Sequence, residues 1–287
     1  MAPLLQSAPV AEMSVMPKGD TEAPPLLRID NIRKLYGGGT RSPELVALQD
    51  VSFEIPEGQF CVIVGPSGCG KSTLLNIIAG IDFPTSGIAS LSGSPIGGPD
   101  PQRGVMFQQY HLFPWMTVRG NVEFGPRSRG LPRSQIRELC ERQITRVGLS
   151  GFEERYPHEL SGGMQQRCAL ARMLANDPVV LLMDEPLAAV DAQTRSILQE
   201  ELLEIWGENR PLSERKTVLF VTHAIEEAVF LADRILVMGR RPGRIIADIP
   251  NTLGRPRRDA RRTKDFVELI ESIWDLLHDE AADATRQ

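Results

Sequence analysis

No run of apolar residues in this chain approaches the roughly 20 that a membrane-spanning helix needs, so no span of its own is expected. Cysteine is scarce. Cys61, Cys69, Cys140 and Cys168 are the only four in 287 residues, and no two stand at Cys-x-x-Cys spacing. That argues against a disulfide framework or a zinc site and fits a reducing compartment. Positive charge is not in excess either: the formal net charge is −5, so no overall basic field points to a nucleic-acid partner. The first 25 residues are rich in Pro and Ala but lack a positive start followed by an apolar stretch. They do not read as a secretory signal, and a disordered leader is expected there. Long internal repeats and heptad runs are missing too. What remains is the composition of an ordinary globular protein, 41% hydrophobic and 24% charged, long enough for one large domain or two smaller ones.

Against this plain background one segment stands out. Residues Gly65, Pro66, Ser67, Gly68, Cys69, Gly70, Lys71 and Ser72 spell Gly-x-x-x-x-Gly-Lys-Ser directly after the apolar run Phe60-Cys61-Val62-Ile63-Val64. That is the strand context a phosphate-binding P-loop requires. Residues from Ser72 and Thr73 to Ala79 read as a helix stopped by Gly80. The loop therefore opens onto a helix N-terminus, where unpaired N–H groups and the helix dipole favour an anion. Lys71 can reach β- and γ-phosphates, and the Ser72 hydroxyl can ligate Mg²⁺. A glycine-rich turn with an incidental lysine is the bland reading, and the agreement of motif and flanks disfavours it.

The rest of the chain alternates. Strands are expected at 26–30 and 46–55, flanking a glycine-rich turn at 37–39, and at 104–107. From Pro114 to Pro157 the character turns helical, with helices over 118–124 and 133–147 broken by Pro, Gly and Arg. A helix then follows over about 163–176, ended by Pro178. The continuous apolar run Val179–Met183 is the mark of a buried parallel strand. A helix at 192–206, a strand at 217–221, a helix at 224–232 and a strand at 235–238 complete the pattern. Strands alternating with helices imply a parallel sheet covered on both faces.

Two adjacent acids, Asp184 and Glu185, close the apolar strand. Asp184 is placed to hold Mg²⁺; Glu185, on the other side of the pleat, can orient or activate a water. An N-cap acid after a strand is the alternative. His223 ends the next strand, on the sheet edge where such folds bind ligands, and can hydrogen-bond a γ-phosphate. Gln108, at another such edge, offers a neutral amide to Mg²⁺ or the water. Leu160-Ser161-Gly162-Gly163-Met164-Gln165-Gln166 opens a helix with Ser161 and two glycines, a second phosphate-type N-terminus. One ATP does not need two such sites from one subunit. A dimer solves this if Ser161 and Gly163 of one copy cover the γ-phosphate held by Lys71 of the other.

Taken in order, these motifs resemble the nucleotide-binding subunits of ATP-binding cassette (ABC) transporters. The P-loop at 65–72, the Q-loop Gln108, the signature at 160–166, the Walker B strand ending at Asp184, Glu185, the D-loop Ala189-Val190-Asp191 and the switch His223 all occur in family order over about 26–250. The resemblance implies an α/β fold: a P-loop NTPase (RecA-like) core with an antiparallel β subdomain and an inserted α-helical subdomain at about 108–160. It implies a basic linker and an amphipathic helix over 251–287, and Tyr36 as the aromatic that stacks on adenine. ATP and Mg²⁺ are the implied cofactors. The site residues it carries over are Glu185, His223 and Gln108 for catalysis and Ser72, Gln108 and Asp184 for the metal. Nucleotide contacts fall to Tyr36, Gly65–Thr73, Ser161, Gly162, Gly163, Gln165 and Asp191. Val190 and Leu187-Ala188 depart from the commoner Leu and Phe-Gly, apolar exchanges that should preserve function.

Similarity to importer ATPases runs through Met106–Val118 and Asp191–Arg195, and Arg241-Pro242-Gly243-Arg244-Ile245 resembles the nitrate/sulfonate/taurine group. Such a subunit would act as an ATP-sandwich homodimer on the cytoplasmic face of the inner membrane. Its implied partners are integral permease subunits, docked near 108–127, and indirectly a solute-binding protein; no nucleic-acid partner is implied. The alternatives are a soluble ABC ATPase clamp in DNA repair or translation, and a P-loop kinase, which has no use for the segment at 160–166. The loop at 207–215 reads as a surface insertion and the run Arg255–Arg262 as a solvated linker. Phe266, Leu269, Ile270, Ile273, Trp274 and Leu277 form a helical stripe expected to dock on its own domain.

Overall fold

A computed structural model describes residues 25–37, 43–188 and 190–286. The leader up to residue 24, Gly38 and Gly39 of the glycine-rich turn, and Ala189 lie outside the described residues. The architecture rests on two sheets. Strands β1 (Leu27–Tyr36), β2 (Leu45–Ile55), β4 (Ser86–Leu91) and β5 (Ser94–Pro95) form an antiparallel sheet in the order β2-β1-β4-β5. The larger sheet runs β10-β9-β3-β8-β7-β6. Its members are β3 (Phe60–Val64), β6 (Arg103–Met106), β7 (Val180–Asp184), β8 (Thr217–Thr222), β9 (Arg234–Met238) and β10 (Ile245–Pro250). All its pairings are parallel except that of β10, which returns antiparallel to β9.

Continuous apolar sequence in β3, β7 and β8 corresponds to burial on both faces. Phe60, Val62 and Val64 point into one core, and Cys61 and Ile63 into another. The second core lies between the two sheets around helix α1 (Lys71–Ala79), through Leu74, Leu75, Ile77 and Ile78. The first is covered by α4 (Gly162–Leu174), α5 (Ala192–Trp206) and α6 (Ile225–Leu231), and α2 (Val118–Ser128) and α3 (Arg133–Arg146) pack on it from the inserted region. Helix α7 (Lys264–Arg286) packs against α6. This is the P-loop NTPase core with an antiparallel β subdomain and an inserted helical one.

Several expectations need correction. The helix expected over 118–124 continues through Gly125 and Pro126 to Ser128. At Gly125 the side chain of Asn176 fills the space a β-carbon would occupy, with Oδ1 only 2.2 Å from it. Strands β4, β5 and β10 were not anticipated. The basic run is a solvated linker only in part: Arg258 and Arg262 are exposed, but others are not. Arg257 is 1% exposed and donates to the carbonyls of Leu253, Gly254 and Ala232. Burial first, then the charge of Arg255, pushes its pKa down to about 10. Arg255 pairs with Asp233 at 2.9 Å and with Glu208 at 2.9 Å. The loop at 207–215 is therefore more than a surface insertion, because the buried Glu208 also accepts from the Arg257 N–H at 2.9 Å. In α7, Phe266 and Ile273 are buried as expected, but Trp274 is 55% exposed and stacks on His278 instead, centroids 4.9 Å apart.

Candidate active site

Parallel pairing puts the ends of four strands on one edge of the large sheet. Val64 pairs with Thr222, Asp184 with Val221, and Met106 with Met183. Gly65, His223, Glu185 and the Phe107–Gln108 segment therefore leave the sheet side by side, where ligands bind in open α/β sheets. Two P-loop glycines are required by space. A β-carbon on Gly65 would stand 2.4 Å from the Met238 carbonyl oxygen. Gly70, the N-cap of α1, has φ +112° and leaves 2.9 Å to the Ala47 oxygen.

Lys71 is 4% exposed. Its Nζ donates to the carbonyls of Gly65 at 2.8 Å and Pro66 at 2.9 Å and lies 3.9 Å from Glu185 Oε1. A buried ammonium held mainly by neutral carbonyls is electrostatically unsaturated, and a phosphate dianion suits it better. The Ser72 hydroxyl donates to Asp184 Oδ1 at 3.0 Å. Burial raises the pKa of Asp184, and the proximity of Glu185 adds to this; the Ser72 hydrogen bond and the Lys71 charge pull it back down. Among the described residues no cluster of three or more His, Cys, Asp or Glu groups stands ready for a metal. A carboxylate and a hydroxyl 3.0 Å apart nevertheless fit Mg²⁺, which takes one or two protein oxygens and completes its shell with substrate phosphates and water. Cys69 is buried, and desolvation lifts its thiol pKa despite Lys71 nearby, so it remains a neutral thiol.

Pleat alternation does not hold at Glu185. The strand ends at Asp184, and Glu185 takes a left-handed φ of +44°, rare for a residue with a side chain. Its carboxylate turns to the same side as that of Asp184: Oε1 faces Lys71, and Oε2 lies 2.9 Å from His223 Nδ1. Tyr36, at the end of β1, is 38% exposed, donates to Asp82 Oδ2 at 2.7 Å and has Lys34 Nζ 4.8 Å from its ring centroid. Burial and the Asp82 bond raise its pKa, while a bond to Thr73 on α1 opposes them. Gln108 is exposed, and no hydrogen bond joins it to Ser72 or Asp184.

The second glycine segment stands apart. The Ser161 hydroxyl caps α4 by accepting from Met164 N–H at 3.3 Å, and Gln165 donates to the carbonyls of Pro157 and Leu160. Gly162 has open space where a β-carbon would go, and Gly163 faces Thr194. Asp191 caps α5 through the N–H groups of Gln193 and Thr194, which hold its carboxyl below the usual range. No hydrogen bond links Ser161, Gly162, Gly163, Gln165 or Asp191 to the P-loop of the same chain.

Comparison with known proteins now decides the family. Residues 48–188 match the family described as ABC transporter. The chain is 50% identical over 255 residues, 88% of its length, to an uncharacterized ABC transporter ATP-binding protein of Methanocaldococcus jannaschii, 92% of which is covered. The chain belongs to the ABC transporter family. It is also 46% identical over 241 residues to the taurine import ATP-binding protein of Roseobacter denitrificans, with 80% of this chain and 87% of that one covered. Among solved structures, the dimeric post-hydrolysis state of the ATP-binding cassette MJ0796 with ADP and Pi superposes with a TM-score of 0.68 and 32% identity. That match covers 79% of this chain and all of the other. This ABC chain is accordingly an ATP-binding ATPase subunit whose hydrolysis is coupled to transport. No helix among the described residues is long and apolar enough to cross a membrane.

Sequence reasoning missed Glu227 of the ABC cassette, which lies buried next to Thr222 and His223 of the candidate site. It accepts from Gln199 Nε2 at 3.1 Å and is bonded to Thr222, with Arg195 and His223 nearby. Desolvation raises its pKa above the ordinary glutamate value of 4.5 even though those four groups lower it. The folded state thus holds a proton that the unfolded chain releases. Stability should fall as pH climbs from that unfolded value to the raised folded one, then level off. Glu227→Gln keeps the acceptor and has no charge to bury. Its urea midpoint is expected to exceed the wild type's at pH 8, with the advantage shrinking toward pH 5. Equal midpoints at pH 8 would refute the account.

Proposed function

We propose that the chain powers uptake of a small anionic solute of the nitrate, sulfonate or taurine type through separate membrane subunits, as a homodimer that sandwiches two ATP molecules. The observation that carries this reading is the convergence of Lys71, Asp184, Glu185 and His223 beside one phosphate loop, while Ser161 bonds within its own helix cap and the absent β-carbon of Gly162 meets open space. In each composite site Lys71 and the N–H groups of Gly65–Thr73 bind phosphates, Tyr36 stacks on adenine, and Glu185, oriented by His223, activates the attacking water. Ser161, Gly162, Gly163 and Gln165 of the second copy cover the γ-phosphate, with Asp191 at the same seam. Ser72, Asp184 and Gln108 would hold Mg²⁺, which when bound supplies neutralisation of phosphate charge. Closure excludes water, and hydrolysis lets the dimer reopen.

The membrane partner docks near 108–127 on the cytoplasmic face of the inner membrane. Support comes from the aromatic cluster there: Phe113 lies 4.6 Å from Phe124 and 5.6 Å from Trp115, with Phe124 and Trp115 exposed. The buried Asn121 fixes this loop, accepting from Phe113 N–H and donating to the carbonyls of Phe113, Met116 and Thr117. Similarity to the taurine import relative supports the solute class, with a solute-binding protein as the outside partner. Purification from membranes should retain a polytopic partner. Vesicles carrying the complex should take up labelled taurine or a related anion only with ATP. Recovery with ribosomes or DNA, and none with membranes, would instead favour the soluble clamp.

A further inference from the structure

The segment Arg241-Pro242-Gly243-Arg244 belongs to the stretch that resembles the nitrate/sulfonate/taurine group. In the structure it forms the turn between β9 and β10, and this turn lies on the outside of the phosphate loop. A β-carbon at Gly243 would stand 2.1 Å from the Cys69 carbonyl oxygen. The turn is held firmly. Gly243 N–H donates to Ala47 O at 3.0 Å, and Gly243 O accepts from Gln49 N–H at 2.9 Å, joining the turn to β2. Arg244 reaches both carboxylate oxygens of Glu280 on α7, at 3.0 and 3.1 Å. From this support Arg241 donates through one guanidinium nitrogen to the Gly68 carbonyl oxygen at 3.0 Å. Among the described residues it has no carboxylate partner within 4.0 Å.

The carbonyl of Gly68 and the N–H of Cys69 belong to one peptide unit and point in opposite directions. A cation bonded to the carbonyl fixes the plane of that unit and polarises it, making the N–H on the far side a stronger donor. That N–H makes a long contact, 3.4 Å to Pro66 O, which an anion can replace. We propose that Arg241 is a positioning residue for phosphate binding, acting from outside the loop by orienting and polarising the peptide between Gly68 and Cys69. The proposal rests on the reading of Gly65–Ser72 as the ATP phosphate loop.

Calorimetric titration of the full chain with ATP tests it, using Arg241→Ala and Arg241→Lys beside the wild type. Arg241→Ala is expected to weaken ATP binding about tenfold, the scale of one charge-assisted hydrogen bond. Arg241→Lys keeps a single cationic donor and should recover much of that affinity. In steady-state hydrolysis the alanine variant should raise KM by more than it lowers kcat. ATP affinity within twofold of wild type in Arg241→Ala overturns the proposal. So does a loss that lysine does not recover and that follows a lowered unfolding midpoint, which marks a purely structural residue. Failure of the wild type to bind ATP would instead overturn the phosphate-loop reading itself.

Discussion

Glu185→Gln should bind ATP and lose most of its hydrolysis, with turnover down about 10²–10⁴-fold, the usual worth of a general base. The substitution is nearly isosteric and leaves the Ser72–Asp184 bond and the carbonyl contacts of Lys71 in place, so the means of binding remain. What disappears is the carboxylate that the left-handed turn at φ +44° aims at both Lys71 and His223. Without hydrolysis the closed state has no exit, and an ATP-dependent dimer should accumulate. Phosphate release and size-exclusion chromatography with and without ATP measure the two effects. Wild-type turnover in this variant would remove Glu185 from the role.

The second large effect concerns the seam between copies. Lys71→Ala should abolish activity by removing the buried phosphate cation, and Gly162→Asp should abolish it by setting a carboxylate against the partner's γ-phosphate. Gly162 is suited to the test because nothing lies within 4 Å of its absent β-carbon, and an acid in the first turn of α4 is favourable to the helix. The variant should therefore fold and bind ATP as a single subunit. Mixing the two dead proteins forms heterodimers in which one site has Lys71 from one copy and an intact Ser161–Gly163 from the other. Random pairing makes half the dimers mixed with one good site each, so up to about a quarter of wild-type ATPase activity should return. A mixture that stays inactive would argue against the composite site.

The legible parts of the fold share a physical feature. The phosphate loop spans eight consecutive residues between a strand and a helix, so its backbone path and chemistry are written locally. The same holds for the buried strands Val180–Asp184 and Thr217–Thr222, whose uninterrupted apolar residues admit few other environments. The overlooked strands are those whose sequence is unremarkable and whose state depends on a neighbour. Ser86–Leu91 is a strand because it pairs with Leu27–Arg33, and Ile245–Pro250 because it pairs with Arg234–Met238. Charge misled in the same way. Eight residues containing five arginines look solvated, but the burial of Arg255 and Arg257 is decided by Glu208, Asp233 and the carbonyls of Leu231 and Ala232, supplied from elsewhere in the chain.

By itself, then, the sequence determined the nucleotide chemistry, the α/β architecture and the order of the motifs, because each resides in a short stretch with a limited set of conformations. Only the tertiary structure decided which motifs meet. Ser72 finds Asp184 across 112 residues and Arg241 finds Gly68 across 173. The parallel strand order sets those encounters, and no local propensity encodes it. The tertiary structure also decided that Glu185 turns toward Lys71 against the alternation of the strand, since a left-handed backbone at a residue with a side chain persists only where the surrounding packing holds it.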